Sequence, residues 1–172
     1  MPRRQRNQKG LKILLESDIM RTYGELLPGL KVVTHRKFND DRGNFCELWK
    51  INDDGLRGQF RQLNTATSVC NVLRGMHRQN QTKIVMPLYG KIFDVALQPE
   101  TGKWFGIELD ENTALSIPPE YAHGYLVLSD TSIVQYVVDA PYNKQEEENF
   151  KWNDYNIEWP ISGTPILSVK DL

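Results

Sequence analysis

The sequence predicts an all-β fold, a sandwich or jelly-roll barrel formed by one domain. From residue 30 onward, short runs rich in Val, Ile, Phe, Tyr and Thr recur about every ten residues, with turn-forming residues between them. About nine or ten such runs follow one another, which is typical of sandwiches and jelly rolls. A chain of 172 residues with 40% hydrophobic and 25% charged residues has the size and composition of one globular domain.

The start of the chain is predicted to be helical rather than extended. Residues 1–10 form a basic tail, and residues 11–27 carry apolar side chains at roughly helical spacing until Pro28 and Gly29 stop the run. Residues 1–29 are therefore assigned to a basic tail and a short helix, and residues 30–172 to the jelly-roll domain.

The predicted strands follow in order from residue 30. Glycine-containing turns at residues 40–43, 52–55 and 100–102 supply the positive φ that tight turns often need. The polar segment NVLRGMHRQ, residues 71–79, is a further strand candidate, and the chain beyond Tyr142 is predicted to form minor helical segments. The strand-like runs are LKVVTHRKF, GNFCELWKI, QFRQLNTATS, TKIVMPLYG, KIFDVALQP, KWFGIELD, TALSIPP, YLVLSD and TSIVQYVVDA.

Charge and composition exclude several classes of protein. A net charge of -1 provides no long-range field for nucleic acid or a membrane surface, and no stretch approaches the roughly 20 apolar residues of a membrane span. The basic tail is interpreted as a solvated tail, although it is compatible with contact to nucleic acid or phospholipid. Cys46 and Cys70 are too few for a disulfide scaffold and fit a reducing cytoplasm, although one bridge between them stays open.

His77 is the first candidate for chemistry, and its neighbours argue against a metal. A catalytic metal usually needs three protein ligands, but the segment around His77 has no second histidine or nearby acid, and it is rich in cations. Polar side chains on apolar strands are costly unless they have partners, so their density favours a ligand-lined cavity, with a structural salt-bridge network as the alternative. The polar set is Arg42, Glu47, Gln62, Asn64, Arg74, His77 and Lys83.

Strand geometry raises a question about Arg74 and His77. Side chains three positions apart on an extended strand face opposite sides of the sheet. Gly75 lies between these two residues, and a bend or bulge there would bring both into one cavity.

His123 and Tyr136 form a second cluster of candidates. Tyr136 alternates with valines, so taken alone it is interpreted as core packing. Together with His77 and Lys83, it completes a set of a base, an acid and a cation for an oxyanion.

These segments resemble the dTDP-4-dehydrorhamnose 3,5-epimerase family, nucleotide-sugar epimerases with a cupin-type jelly roll. The resemblance covers roughly residues 30–172, and its motifs occur in the family's order. They are DDRGNFCELW, QLNTATSVCNVLRGMHRQ, TKIV, GKIFDVAL, IPPEYAHGYLVLSD, QYVVDAPYN, FKWNDYNIEWP and SVKD.

The resemblance implies a role for each matching residue. It makes His77 the base, Asp171 the carboxylate that orients it, Tyr136 the acid, and Lys83 the cation at the substrate ketone. Arg42 and Arg74 match diphosphate ligands, since a guanidinium suits phosphate oxygens. Other pocket positions fall on Glu47, Gln62, Asn64 and His123.

The implied reaction is inversion at C3, C5 or both in a nucleotide-linked 4-keto-6-deoxy sugar, within deoxysugar or surface-polysaccharide biosynthesis. No metal, nicotinamide or other cofactor is expected, in keeping with the lack of a glycine-rich dinucleotide fingerprint. The resemblance also implies a homodimer with strand exchange, in which Arg42 enters the neighbour's pocket. A cytoplasmic location is expected from the two cysteines.

The sequence departs from the family at three places around the substrate. Only RQNQT separates His77 from Lys83, the segment QPETGKW is shortened, and an aromatic pair after the acid reads Pro141 and Tyr142. Another nucleotide-linked 4-keto sugar, such as a heptose, therefore stays open as substrate. A non-catalytic sugar-nucleotide-binding cupin and a metal-dependent cupin enzyme are the remaining alternatives.

Overall fold

The computed structural model describes residues 21–48 and 60–171, which form antiparallel sheets with almost no helix. Two short 3-10 helices, Lys144–Glu146 and Val169–Asp171, are the minor C-terminal helical segments that were expected. The strands are β1 (Thr22–Tyr23), β2 (Lys31–Thr34), β3 (Arg36–Asp40), β4 (Gly43–Glu47), β5 (Gln62–Val69), β6 (Leu73–Arg78), β7 (Lys83–Tyr89), β8 (Ile92–Gln98), β9 (Lys103–Leu109), β10 (Thr113–Ile117), β11 (Ala122–Val127), β12 (Thr131–Val138) and β13 (Glu148–Asn149).

Two large sheets form the body of the jelly roll. One sheet has six strands in the order β1-β9-β8-β11-β6-β13, and the other has five in the order β2-β10-β7-β12-β5. Among the described residues, strands β3 and β4 pair with each other alone and form a separate hairpin. The all-β prediction is confirmed, and each large sheet mixes strands distant in sequence, as a jelly roll requires.

Apolar side chains pack on both faces of the sheets. Between the sheets, Ile92, Phe105 and Ile107 of one contact the core that includes Val85 and Val134 of the other. The outer face of the six-stranded sheet is covered by side chains from the C-terminal segment, including Trp152, Trp159 and Ile161. This arrangement fixes the two sheets face to face, and the cavity described below opens between them.

The predicted helix over residues 11–27 is wrong where the structure describes it. Residues 21–27 are not helical, because β1 pairs with β9 at the edge of the sheet. Tyr23 packs edge-on against Phe93, with ring centroids 5.1 Å apart. The six-stranded sheet therefore includes residues that precede residue 30. The rest of that prediction, the basic tail and the turn at residues 52–55 lie outside the described residues.

Two other turn predictions are confirmed by backbone geometry. Gly43 and Gly102 have φ values of +125° and +71°, a region that L-residues with a Cβ rarely occupy. Within residues 21–48 and 60–171, no helix has the length and apolar character needed to cross a bilayer.

Candidate active site

A cavity of about 360 Å³ lies between the two large sheets. This volume is within the range of small-molecule pockets. Eight of the ten predicted site residues line it, and they come from both sheets and the C-terminal 3-10 helix. The lining residues are Gln62, Asn64, Arg74, His77, Gln79, Gln81, Lys83, His123, Tyr125, Tyr136, Val138, Tyr142, Glu147, Ser168, Lys170 and Asp171.

A bulge in β6 brings Arg74 and His77 to the same side. Arg74 pairs with Tyr125 of β11 and His77 with His123, so three residue steps on β6 oppose two on β11. Gly75 lies at this bulge with φ of +115°, and a Cβ there would lie 2.5 Å from the Cα of Gly124. The bend predicted at Gly75 is confirmed, and it requires a residue without a side chain.

The imidazole of His77 lies among oxygen atoms. Its Nε2 is 2.8 Å from Oδ1 of Asp171, its Nδ1 is 2.6 Å from Oδ1 of Asn149, and a Glu147 oxygen lies 3.9 Å from Nδ1. Burial lowers the pKa of His77 below 6.5, while Asn149 and Asp171 act in the opposite direction. His77 is therefore neutral near pH 7, and the nearby oxygens favour its protonated form once it gains a proton.

Lys83 reaches across the cavity from β7 to β6. Its Nζ donates a hydrogen bond to the backbone oxygen of His77 at 3.3 Å. Burial lowers the pKa of Lys83 to about 8, while the charges of Glu147 and Asp94 oppose that decrease. The ammonium group is mostly protonated at pH 7 and lies next to the candidate base.

Tyr136 faces the cavity from β12, in the sheet opposite His77. Burial raises its pKa well above 10, with Tyr125 adding to the increase. Tyr136 therefore keeps its proton at neutral pH, as a general acid must.

His123 is held from behind by a buried carboxylate. Its Nε2 lies 2.7 Å from Oδ1 of Asp94, whose side chain is fully buried. The His123 ring also packs edge-on against Tyr136, with ring centroids 6.1 Å apart. His123 is thus fixed at the cavity wall beside the candidate acid.

Arg74, Gln62 and Asn64 are the other predicted residues in the cavity, and each forms a side-chain hydrogen bond. Nε of Arg74 donates to Oγ of Ser68 at 3.0 Å. Nε2 of Gln62 donates to Oδ1 of Asn64 at 2.8 Å, and Oε1 of Gln62 accepts from the backbone N–H of Tyr142 at 2.9 Å.

Arg42 and Glu47 lie on the β3–β4 hairpin and do not line this cavity. The Arg42 side chain is 90% exposed and pairs with Asp40, with Nη2 and Oδ2 at 2.6 Å. Glu47 borders a separate concavity with Leu63 and Met86 on the outer face of the five-stranded sheet. Their assignment to a substrate site stays a prediction.

Sequence reasoning missed four residues that surround the predicted set. Asp94 carried a signal, since a lone aspartate within the apolar run IFDVAL is unusual. Glu147 and Asn149 lie in the polar run after Tyr142, where minor helical segments are predicted, and Tyr125 lies in the predicted strand YLVLSD without a role assigned to it. Within the described ranges, no group of three His, Cys, Asp or Glu side chains is arranged to hold a metal ion.

Comparison with known proteins points to a single family. The family model of dTDP-4-dehydrorhamnose 3,5-epimerase matches residues 25–172. The Shigella flexneri dTDP-4-dehydrorhamnose 3,5-epimerase is 36% identical over 163 residues, covering 85% of this chain and 90% of the relative. The Escherichia coli K12 protein of the same description is 38% identical over 157 residues, covering 81% and 85%.

Solved structures agree with this match. The dTDP-6-deoxy-D-glucose-3,5-epimerase of Legionella pneumophila, in complex with dTDP-4-keto-L-rhamnose, superposes with a TM-score of 0.81 at 31% identity. That match covers 89% of this chain and 90% of the other. The Elizabethkingia anophelis dTDP-4-dehydrorhamnose 3,5-epimerase gives a TM-score of 0.78 at 36% identity, covering 88% and 93%.

Proposed function

The chain belongs to the dTDP-4-dehydrorhamnose 3,5-epimerase family, and we propose that it inverts C3, C5 or both in a dTDP-linked 4-keto-6-deoxy sugar. The observation that carries this proposal is the placement of His77 and Tyr136 on opposite sheets of one cavity. Inversion removes a proton from one face of a carbon and returns one to the other face. A base and an acid on opposite walls can do this without turning the sugar.

His77 is the proposed base. The C4 ketone makes the neighbouring C–H groups acidic, and the ring nitrogen that is not engaged with Asp171 takes the proton. Asp171 is buried and fixed by Oγ of Ser168, which donates to its Oδ2 at 2.8 Å, so it holds the ring in place. Asn149 is exposed, and its Oδ1 contacts the other ring nitrogen, so the proposal requires that it move aside when the substrate binds. The resulting imidazolium is stabilised by the Asp171 carboxylate.

Lys83 is the proposed partner of the enolate oxygen. As the C–H bond breaks, its electron pair moves toward C4 and negative charge develops on the ketone oxygen. A buried ammonium next to His77 stabilises that charge more strongly than water does. A C–H bond then forms from the opposite side with the proton of Tyr136, and the electron pair of its O–H bond stays on the phenolate.

Arg74 is the proposed cavity ligand of the diphosphate. It lines the cavity and contacts Ser68 on β5. Its planar guanidinium matches the oxygen geometry of a phosphate.

The test is to incubate the protein in D2O with dTDP-4-keto-6-deoxyglucose and follow C3 and C5 by NMR. We expect deuterium to enter at least one of the two carbons, with inversion there. His77→Asn is expected to abolish exchange, while Tyr136→Phe keeps exchange and loses inversion. His35→Asn is the matched control, because His35 is a buried histidine that lies outside the cavity. Absence of exchange at both carbons would refute the epimerase proposal.

A homodimer is part of the same proposal. Phe38, Phe45 and Leu63 are exposed on the β3–β4 hairpin and the adjacent outer sheet face, an apolar surface that a second copy would cover. By resemblance to the family, Arg42 of this hairpin would enter the neighbour's pocket. We expect a mass of about twice 19.9 kDa by light scattering, and a monomer at micromolar concentration would contradict the dimer.

Strand exchange has a sharper test. Arg42→Ala and His77→Asn each impair every site of their own homodimers. In a mixed dimer, one site would hold an intact His77 together with the neighbour's intact Arg42. Co-expression of the two variants is expected to restore about a quarter of wild-type activity, because about half of randomly formed dimers are mixed and each has one complete site. No recovery would refute the exchange.

A further inference from the structure

Tyr125 is a buried tyrosine that the proposed reaction does not use. It is 1% exposed, yet it lines the cavity from β11. Its hydroxyl is buried and has no hydrogen bond of full geometry, although the Tyr136 and Ser68 hydroxyls lie close enough to interact with it. A buried hydroxyl whose hydrogen bonds are incomplete costs free energy, so a core position that keeps one suggests a stronger bond that forms during function.

Tyr125 lies between Tyr136 and Arg74. Its ring centroid is 6.2 Å from that of Tyr136, and its backbone pairs directly with Arg74 across the bulge in β6. Burial raises the pKa of Tyr125, while the charge of Arg74 and hydrogen bonding with the Tyr136 and Ser68 hydroxyls lower it. Tyr136 is therefore the donor of this pair before it gives up its proton.

Ser68 links Tyr125 to Arg74, the residue proposed to bind the diphosphate. Its Oγ already accepts a hydrogen bond from Nε of Arg74 at 3.0 Å. The Ser68 proton therefore points away from the guanidinium and is available to the Tyr125 oxygen. Once Tyr136 has lost its proton, the Tyr125 proton can turn toward Tyr136. The donors then follow one direction, from Arg74 through Ser68 and Tyr125 to Tyr136.

We propose that Tyr125 is a positioning residue that stabilises Tyr136 after Tyr136 has protonated the sugar. This inference rests on the proposed function. When the Tyr136 O–H bond breaks and its proton forms the new C–H bond, the phenolate is left in a buried site. The Tyr125 hydroxyl keeps its own proton and donates a hydrogen bond to that phenolate.

The chain of donors also connects the acid to the substrate's far end. A chain of hydrogen bonds polarises along its length, so the positive charge of Arg74 strengthens the bond from Tyr125 to Tyr136. A diphosphate on Arg74 would orient the guanidinium that begins this chain. Proton donation by Tyr136 is thereby favoured in the complex with the whole nucleotide sugar.

The experiment compares Tyr125→Phe with wild type on dTDP-4-keto-6-deoxyglucose in D2O. The variant removes one oxygen atom and is expected to fold with nearly unchanged thermal stability, since the hydroxyl has no hydrogen bond of full geometry. We expect deuterium exchange and KM to be unchanged, because His77 and Lys83 are intact. Inversion is expected to be about tenfold to hundredfold slower, the effect of losing a hydrogen bond to a charged group.

Two further variants separate this role from a structural one. Ser68→Ala is expected to slow inversion a few-fold in the same manner. Tyr121→Phe is the matched control, because Tyr121 is a buried tyrosine whose hydroxyl donates to the Pro28 backbone oxygen outside the cavity. It is expected to leave exchange and inversion unchanged.

The outcomes separate this inference from the proposed function. Wild-type inversion in Tyr125→Phe would overturn the inference, and so would a parallel loss of exchange and inversion, which indicates general damage to the site. If wild-type protein shows neither exchange nor inversion, the proposed function itself fails and the inference fails with it.

Discussion

Replacing Lys83 by Met is expected to stabilise the protein while removing its activity. The two side chains are similar in length, and Met suits the apolar strand KIVMPL. A pKa that falls from 10.5 to about 8 corresponds to about 3 kcal/mol spent on keeping the ammonium charged inside the fold, at about 1.4 kcal/mol per pH unit. Partial contact with cavity water and the lost hydrogen bond to His77 reduce the expected gain to about 2 kcal/mol.

The stability difference between Lys83→Met and wild type is expected to depend on pH. Below pH 8 both the folded and the unfolded chain carry protonated Lys83, so the full cost of burying the charge is present. Between pH 8 and 10.5 the folded chain has lost the proton while the unfolded chain keeps it, so the cost decreases as pH rises. The advantage of Lys83→Met is therefore greatest at neutral pH and disappears near pH 10.5.

The assay is urea unfolding of both proteins at pH 7 and pH 10, at one protein concentration. Lys103→Met is the matched control, because Lys103 is exposed and is expected to show no pH-dependent difference. Epimerase activity, measured in parallel, is expected to be lost in Lys83→Met alone. A variant less stable than wild type at pH 7, or a difference that does not change with pH, would refute the reasoning.

Three other outcomes are expected from the same geometry. Activity should follow a bell-shaped pH profile, rising as His77 loses its proton below pH 6.5 and falling as Lys83 loses its proton near pH 8; a flat profile would contradict this. Asp171→Asn should lower kcat about a hundredfold or more with little change in KM. The Asp171 charge raises the pKa of His77 in the wild type, so its removal should lower that pKa and move the rising limb of the profile to lower pH; an unshifted limb would argue against the role of Asp171. Gly75→Ala should lower the free energy of unfolding in urea by about 3 kcal/mol, and Gly43→Ala by about 1 kcal/mol. Both glycines have positive φ, but only a Cβ on Gly75 would lie 2.5 Å from a backbone atom, the Cα of Gly124; equal losses would contradict this close contact.

The strands and the cavity were predictable because local signals agree with the fold. Glycine turns and short β-rich runs indicate the barrel, and the bulge at Gly75 follows from placing two polar side chains on one face. Eight of the ten predicted site residues meet in the cavity because the family motifs fall on its strands.

The missed features depend on contacts between residues far apart in sequence. Asn149 contacts His77 across 72 positions because β13 pairs with the edge of β6, and nothing in the run EEEN indicates that pairing. The wrong helix prediction at residues 21–27 has the same cause. Its apolar spacing is helical, but Tyr23 finds a strand edge and an aromatic partner in the barrel, and tertiary contacts override local propensity.

Arg78 follows His77 on β6 and its side chain binds Glu148 at 2.5 Å and also Glu100. This ion-pair clamp attaches β13 to β6, and β13 carries Asn149 and directly follows Glu147. Both glutamates of the clamp are largely exposed, so dissolved salt screens it far more than it screens the buried Asp171. Ionic strength thus acts on the surroundings of the base from the outer surface of the protein, without any ion entering the cavity.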